Sequence, residues 1–382
     1  LAAARGGRER VVVPASNAPE AALVPGLTVE AVDSLSGLVA LLTGQSPGEP
    51  VTPMPEADCA GPGGPDLADV VGQAEARLAL EVAAAGGHHL LLTGPPGAGK
   101  TLLAERLPGL LPPLDDRTAL EVTAVHSVLG LLPPETPLVR RPPFRAPHHS
   151  ASLVSLVGGG GRVLRPGAVS AAHGGVLFLD EAPEFAAGVL DSLRQPLESG
   201  VVEVARASGT ARFPARVQLV LAANPCPCAP ARDIDCTCPS TVRRRYQSRL
   251  SGALLDRVDL RRVVQPVSRV DLLTPGAGAE PTEAVRRRVL AARAAAAERW
   301  TGRPWRVNAD VPGALLRREL RLPPRTIASA SRALERGLLS ARGFDRVLRV
   351  AWTLADLGGR DMPSALDVDA ALGLRGVLRS AA

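Results

Sequence analysis

The eight residues Gly94-Pro95-Pro96-Gly97-Ala98-Gly99-Lys100-Thr101 constrain the fold more than any other stretch of the chain. They follow the pattern Gly, four residues, Gly, Lys, Thr. An apolar run, His89-Leu90-Leu91-Leu92-Thr93, leads in and predicts a buried strand, and Leu102 to Leu107 follows and predicts a helix. In that strand–loop–helix setting the glycines let backbone N–H groups wrap phosphate oxygens, and the helix N-terminus adds a favourable dipole. Lys100 then reaches the outer phosphates and Thr101 holds a magnesium ion. The stretch therefore predicts a site for nucleotide phosphates and Mg2+.

A second signal lies about 80 residues on. Val176-Leu177-Phe178-Leu179 predicts a central strand, and it ends in Asp180-Glu181. Two carboxylates at the end of a buried strand are costly unless they serve an ion or a water. Beside a phosphate loop, Asp180 orients magnesium and Glu181 activates the attacking water. A third apolar run, Val217 to Ala223, ends in Asn224, which suits a contact to that water or to the terminal phosphate.

Two Cys-x-Cys pairs come next, Cys226/Cys228 and Cys236/Cys238, seven residues apart. Residues two apart on an extended segment face one side, so each pair presents both thiols to one ion, and Pro227 biases Cys226 toward extended backbone. Four thiolates suit structural zinc better than disulfides in a cytosolic chain. Zinc and reduced free thiols both remain open. The adjacent His148 and His149 invite a metal reading too, but on a strand they would point to opposite faces, which favours structural roles.

With 382 residues the chain has room for two or three domains. Its 46% apolar and 21% charged content describes a globular protein without membrane character. No apolar run approaches the roughly 18 residues of a membrane helix, and no charged-then-apolar leader is visible, so a cytoplasmic location is expected. The first residue is Leu, which suggests a fragment or processed form. The net charge of +6 is carried by arginine, lysine being almost absent. High-GC codon usage and an anionic partner account for it equally well. Aromatic content of 2% argues against binding nucleic acid by base stacking.

In chain order, residues 1–43 give a short apolar strand and a helical pattern (Val32, Leu35, Leu38, Leu42), too small for a core of their own. Residues 44–65 form a Pro/Gly-rich linker that includes the lone Cys59. The main domain spans 66–265, residues 266–282 are a second linker, and 283–382 are helical throughout. Within the main domain a helix is expected near Leu120 to Leu129. Gly158 to Gly161 signals a mobile loop. Val201 to Arg206 and Thr210 to Phe213 predict a hairpin made basic by Arg206, Arg212 and Arg216.

These blocks together resemble the magnesium-chelatase-like AAA+ ATPases of the ComM/YifB group over nearly the whole length. The resemblance rests on Gly72-Gln73, the phosphate loop, Phe144-Arg145-Ala146-Pro147-His148-His149-Ser150, Arg165-Pro166-Gly167, Val176 to Glu181, Asn224-Pro225-Cys226-Pro227-Cys228, and Ser251 to Asp259. It implies an α/β fold: an AAA+ P-loop NTPase parallel sheet with helices on both faces and a C-terminal all-α lid. Residues 1–43 then correspond to the end of a truncated Lon-protease-like (S5 domain 2-like) domain. It also implies that Asn224 is sensor 1, Arg257 an arginine finger and Arg342 sensor 2. Two positions depart from the family pattern, Ala168 where Glu is common and Trp352 where Arg is common.

The leading functional expectation is a hexameric, Mg-ATP-driven motor on DNA, of the kind linked to branch migration and helicase action in natural transformation. The hairpin arginines Arg206, Arg212 and Arg216 are its candidate phosphate contacts, against a reading in which they form a solvated surface. The alternative is a motor that remodels a protein partner, as in metal chelatases. A nucleotide-binding module without turnover is a third possibility, disfavoured by the intact Asp180 and Glu181.

Overall fold

The computed structural model describes residues 2–45, 51, 64–132, 138–160, 163–206, 209–230, 235–273 and 280–377. The chain divides into two compact units, residues 1–62 with 113–141, and residues 63–112 with 142–382. Cys59 and most of the first linker lie outside the described residues.

In the first unit, β1 (Arg10–Pro14) and β2 (Thr28–Val32) pair in parallel, with Arg10 opposite Thr28. Of the helical pattern Val32, Leu35, Leu38 and Leu42, the helix takes only Leu35–Leu42, because Val32 pairs with β1 as the last residue of β2. Ser34 then caps the helix by accepting from the Gly37 N–H at 3.1 Å. The helix anticipated near 120–129 begins earlier, at Asp116. Asp115 caps it by accepting from the Thr118 N–H at 2.8 Å, and Gly130 ends it at φ 68. Its Ala119 and Val122 pack with Leu114, Leu138 and Val139.

The second unit is built on a parallel sheet. Its strands are β3 (Leu90–Thr93), β4 (Phe144–Arg145), β7 (Val176–Leu179), β10 (Gln218–Ala223) and β11 (Leu260–Val263), in the order β11-β3-β10-β7-β4. The short β5 (Gly158–Gly159) and β6 (Arg165–Pro166) pair antiparallel, as do β8 (Val201–Arg206) and β9 (Gly209–Pro214). Near-continuous apolar runs in β3, β7 and β10 fit strands covered on both faces. The two-residue alternation divides them. Leu90, Leu92, Val176, Phe178, Val220 and Ala222 join a core that includes the helix Ala74–Gly86 and the C-terminal helices. Leu91, Leu177, Leu179, Leu219 and Leu221 join a second core with Val202 and Val204 of β8.

The helical C-terminal region is as expected. Helices occupy Thr282–Arg299, Ala328–Glu335, Ala341–Leu357 and Ala365–Leu374. Of the stretch Gly158 to Gly161, Gly158 and Gly159 pair with Pro166 and Arg165, and Gly161 lies outside the described residues. Gly158 is required there: it has φ +102, and a Cβ would stand 2.7 Å from the Arg165 carbonyl oxygen.

A buried polar seam runs between the base of the sheet and the C-terminal helices. Asp259 accepts from Arg346 Nη1 at 2.5 Å and from the His89 backbone N–H at 3.2 Å. His88 Nε2 lies 2.8 Å from the Thr353 hydroxyl, and Asn308 Nδ2 donates to Thr353 Oγ1 at 3.1 Å and to Asp356 at 2.8 Å. Burial pushes His89 down to about 4, so its Nδ1 is a neutral acceptor for the Leu219 N–H at 3.0 Å. Trp352 sits in this region, 3% exposed, with the Arg299 guanidinium 4.5 Å from its ring centroid.

Candidate phosphate-loop site and its neighbours

The order β11-β3-β10-β7-β4 places the carboxyl ends of β3, β7 and β10 side by side, where open parallel sheets bind ligands. The loop from Gly94 to Gly99 leaves β3 and feeds the helix Lys100–Leu110. Gly97 and Gly99 have φ +72 and +90, and a Cβ on Gly97 would meet nothing within 4 Å. The loop is therefore open at that point, as a phosphate cradle requires. Gly94 is tight for a different reason: a Cβ there would stand 2.2 Å from the Val264 carbonyl oxygen. Pro96 is exposed and Ala98 is buried, and Gln73 donates to the Ala98 carbonyl.

Lys100 is 8% exposed. Its Nζ donates to the carbonyls of Gly94 and Pro95 at 2.7 and 2.8 Å and to Asn224 Oδ1 at 3.1 Å. Burial lowers its pKa below the ordinary lysine value, against the opposing pull of Asp180 and Glu181. Thr101 Oγ1 donates to Asp180 Oδ2 at 2.7 Å, so the two oxygens expected to hold magnesium already converge. The Glu181 N–H donates to Asp180 Oδ1 at 2.9 Å, and Glu181 adopts φ 49. The carboxylates and Asn224, drawn from β7 and β10, thus meet the loop drawn from β3.

Sequence reasoning missed one member of this cluster. His149 Nδ1 lies 3.0 Å from Glu181 Oε2. The opposite-face argument for His148 and His149 fails because they follow β4 in a loop, where their ring centroids are 4.0 Å apart. His148 instead pairs with the Ser150 hydroxyl at 2.8 Å. The block from Phe144 to Ser150, which starts on a sheet strand and runs into the loop at its carboxyl end, was the available signal.

Arg257 and Arg342 are each engaged with residues other than the loop. Arg257 donates to the Ala253 carbonyl at 2.6 Å and pairs with Glu198. Arg342 pairs with Asp256, one residue before Arg257, at 3.4 Å.

The four thiols of Cys226, Cys228, Cys236 and Cys238 converge within 4.8 Å of one another. Separations of 3.3, 3.4 and 3.7 Å link Cys226–Cys228, Cys226–Cys236 and Cys228–Cys236. A disulfide would need about 2.05 Å, whereas a tetrahedral zinc at about 2.3 Å from each sulfur sets the sulfurs roughly 3.8 Å apart. The donor set fits that ion. Burial and the adjoining thiols push Cys226 up to about 12, and hydrogen bonds from Cys238 and Cys226 bring Cys228 down to about 7.

On the basic hairpin, Arg212 Nε pairs with Glu203 at 2.9 Å. Arg216 follows β9, and its charge acts on the buried carboxyl of Asp310. The Arg206 side chain lies outside the described residues.

Strand order, phosphate loop and acidic strand end define an AAA+-type P-loop protein. The chain belongs to the magnesium chelatase subunit ChlI family, whose model matches residues 66–272 and whose C-terminal model matches residues 279–375. It is 56% identical to an uncharacterized protein of Mycobacterium tuberculosis, over 98% of this chain and 74% of that one. It is 39% identical to Competence protein ComM of Haemophilus influenzae, over 99% of this chain and 74% of that one. A shorter match, 30% identical over 40% of this chain and 27% of the other, is to the magnesium-chelatase 67 kDa subunit of Heliobacterium mobile. Among the described residues no helix is long and apolar enough to cross a membrane.

Proposed function

We propose that this chain is a cytoplasmic, ring-forming, hexameric Mg-ATP-driven motor acting on DNA during strand exchange or uptake. The observation that carries the reading is the convergence of Lys100, Thr101, Asp180, Glu181 and Asn224 on one loop. Bound Mg2+ supplies neutralisation of charge on the phosphate oxygens. Thr101 and Asp180 would hold it, and Gly97 and Gly99 would offer their N–H groups to the phosphates, since Pro95 and Pro96 have none and the Gly94 N–H donates to the Ala223 carbonyl at 3.1 Å. Lys100 exchanges its loop carbonyls for outer phosphate oxygens. Glu181 takes the proton of the attacking water, with His149 orienting its carboxylate, and Asn224 aligns that water. Arg257, together with Arg342, stabilises transition-state charge in a neighbouring subunit's site.

The DNA element is supported by the likeness to Competence protein ComM over nearly the whole chain. Contacts would be to phosphates, the hairpin arginines Arg206, Arg212 and Arg216 being the candidates the sequence offers. The proposal includes one zinc ion on Cys226, Cys228, Cys236 and Cys238, supported by the thiol spacing. The likeness to a magnesium-chelatase subunit favours the second reading, a motor on a protein partner, but covers less of both chains.

The test is Mg-ATP hydrolysis with and without single-stranded and branched DNA, by the parent and by Glu181→Gln. The parent is expected to turn over ATP faster with DNA. Glu181→Gln is expected to bind ATP and lose turnover, because only the base is removed. Parent-level hydrolysis by Glu181→Gln would refute the base assignment. No DNA response from an assembled ring would hand the reading to the protein-partner motor.

A further inference from the structure

We propose that the helix Ser240–Gln247 is the surface through which this chain grips nucleic-acid phosphates, and that its two ends carry that contact to the ATP site. The inference rests on the DNA-motor reading and adds the surface and its coupling.

Between Pro239 and Leu250 stand four arginines and no acidic residue. Arg243, Arg244 and Arg245 are all exposed. None of their guanidinium groups is held by a carboxylate among the described residues. Successive helical residues turn by about 100°, so these three fan across the outward side. Tyr246, 4% exposed, roots the opposite side. The hairpin is less well suited, because Glu203 already neutralises Arg212 at 2.9 Å and Arg216 acts on Asp310. A free guanidinium has no internal partner to give up when it meets a phosphate, and its planar fork accepts one bidentately.

The ends of the helix carry the second part. Its N-terminal end follows Cys238, whose thiol converges with that of Cys226, two residues after Asn224. Asn224 is the residue that touches Lys100 Nζ at 3.1 Å. Gln247 also reaches back, donating to the Pro225 carbonyl at 3.3 Å. Just past the C-terminal end, Arg249 donates to the Pro183 carbonyl at 3.1 Å and pairs with Glu184 at 3.0 Å. Those two residues sit on the turn that follows Glu181. One short helix is thus tied both to the partner of Lys100 and to the segment carrying the proposed base. A phosphate strand laid on Arg243 to Arg245 biases both at once, which gives DNA-stimulated turnover without base preference.

The experiment uses the whole chain and two fluorescein-labelled single-stranded oligonucleotides of unrelated sequence, with anisotropy followed across a salt series. The triple variant Arg243→Gln, Arg244→Gln, Arg245→Gln is expected to weaken binding equally on both sequences. It should flatten the log affinity against log salt plot by about two units, at about 0.7 per contact on a single strand. Thermal midpoints, unchanged for these exposed side chains, confirm folding. A triple variant with parental affinity and slope overturns the surface alone. A parent that binds neither oligonucleotide overturns the DNA-motor reading, and this inference with it. Arg249→Gln and, independently, Glu184→Gln test the coupling. Each is expected to bind DNA as the parent does while the ratio of DNA-stimulated to basal hydrolysis falls toward one. A parental ratio in both variants overturns the coupling.

Discussion

Replacing Asp259 by Asn isolates one charge in the buried seam. The side chain is 2% exposed, and its amide successor keeps the shape and an acceptor for the His89 N–H, so no cavity opens. What is lost is the counter-ion of Arg346, whose side chain is 16% exposed and whose Nη1 donates to Asp259 at 2.5 Å. Asp259 is the carboxylate that pairs with Arg346 among the described residues, and Arg346 Nε has no partner there. Removing one member of a buried pair costs about 3–5 kcal/mol, and the retained acceptor argues for about 3. At about 2 °C per kcal/mol for a unit this large, the thermal midpoint should fall by about 6 °C. Trp300, Trp305 and Trp352 all lie in the C-terminal helical region, so tryptophan emission during unfolding reads that region directly. The effect has a pH signature. Burial alone would raise the Asp259 carboxyl, but Arg346, His88 and His89 outweigh it and hold it well below the ordinary value. A group depressed in the folded state stabilises above its unfolded pKa, near 4, and that contribution is lost as pH falls through the folded value. The gap between parent and variant should therefore be full at neutral pH and shrink below about pH 4. A midpoint within a degree of the parent at neutral pH, in a folded variant, would refute the reasoning.

Lys100 is the only lysine in the chain, and burial lowers its pKa, so an amine-reactive acetylating reagent should modify it, besides the terminal amine, at mildly alkaline pH. Saturating Mg-ATP should protect it in peptide mass spectra, and unchanged labelling would contradict the phosphate contact. Mixing Arg257→Ala with Lys100→Ala chains should restore some hydrolysis, since each supplies what the other lacks; no recovery in chains shown to co-assemble would exclude action across the interface. Elemental analysis of protein purified without added metal should give about one zinc per chain, and chelation should lower the unfolding midpoint. Metal-free protein with all thiols titrating freely would leave reduced cysteines.

The parts of this fold that were legible are those whose signal is local. β3, β7 and β10 are buried on both faces, so each is an unbroken apolar run, and each ends in the polar residue or loop that chemistry needs. The cysteine pairs were legible through their spacing, although Cys226 to Cys228 lie in a turn, with the Ala229 N–H donating to the Cys226 carbonyl at 3.2 Å, and not on the extended backbone that Pro227 suggested. Contacts made by crossing were not legible. His149 and Glu181 are 32 positions apart in the chain and meet only because β4 lies beside β7 in the sheet. The seam of His88, Asp259, Asn308 and Thr353 joins segments that no periodicity relates. Gly158 misled because a glycine run reads as freedom, while here it marks close approach of two backbones. The basic hairpin drew attention through composition, but Glu203 sits directly across from Arg212, a neutralisation visible only once the strand register is known.

The two arginines assigned to a neighbouring site raise a question of cost. Arg257 is 11% exposed and already bonded to Glu198 and the Ala253 carbonyl. Moving an unpaired buried guanidinium to a new anion would carry a desolvation cost at both ends of the move. Here the move exchanges one anionic partner for another, so the count of charge-assisted hydrogen bonds is conserved. Glu198, with its side chain 62% exposed, is returned to water when released, and an exposed carboxylate loses little by that. Arg342, 74% exposed and 3.4 Å from Asp256, has still less to give up. On the ring reading, both guanidinium groups rest on carboxylates of their own chain until a neighbour brings phosphates within reach. A lone subunit then keeps its arginines parked, and hydrolysis switches on with assembly rather than with nucleotide binding alone.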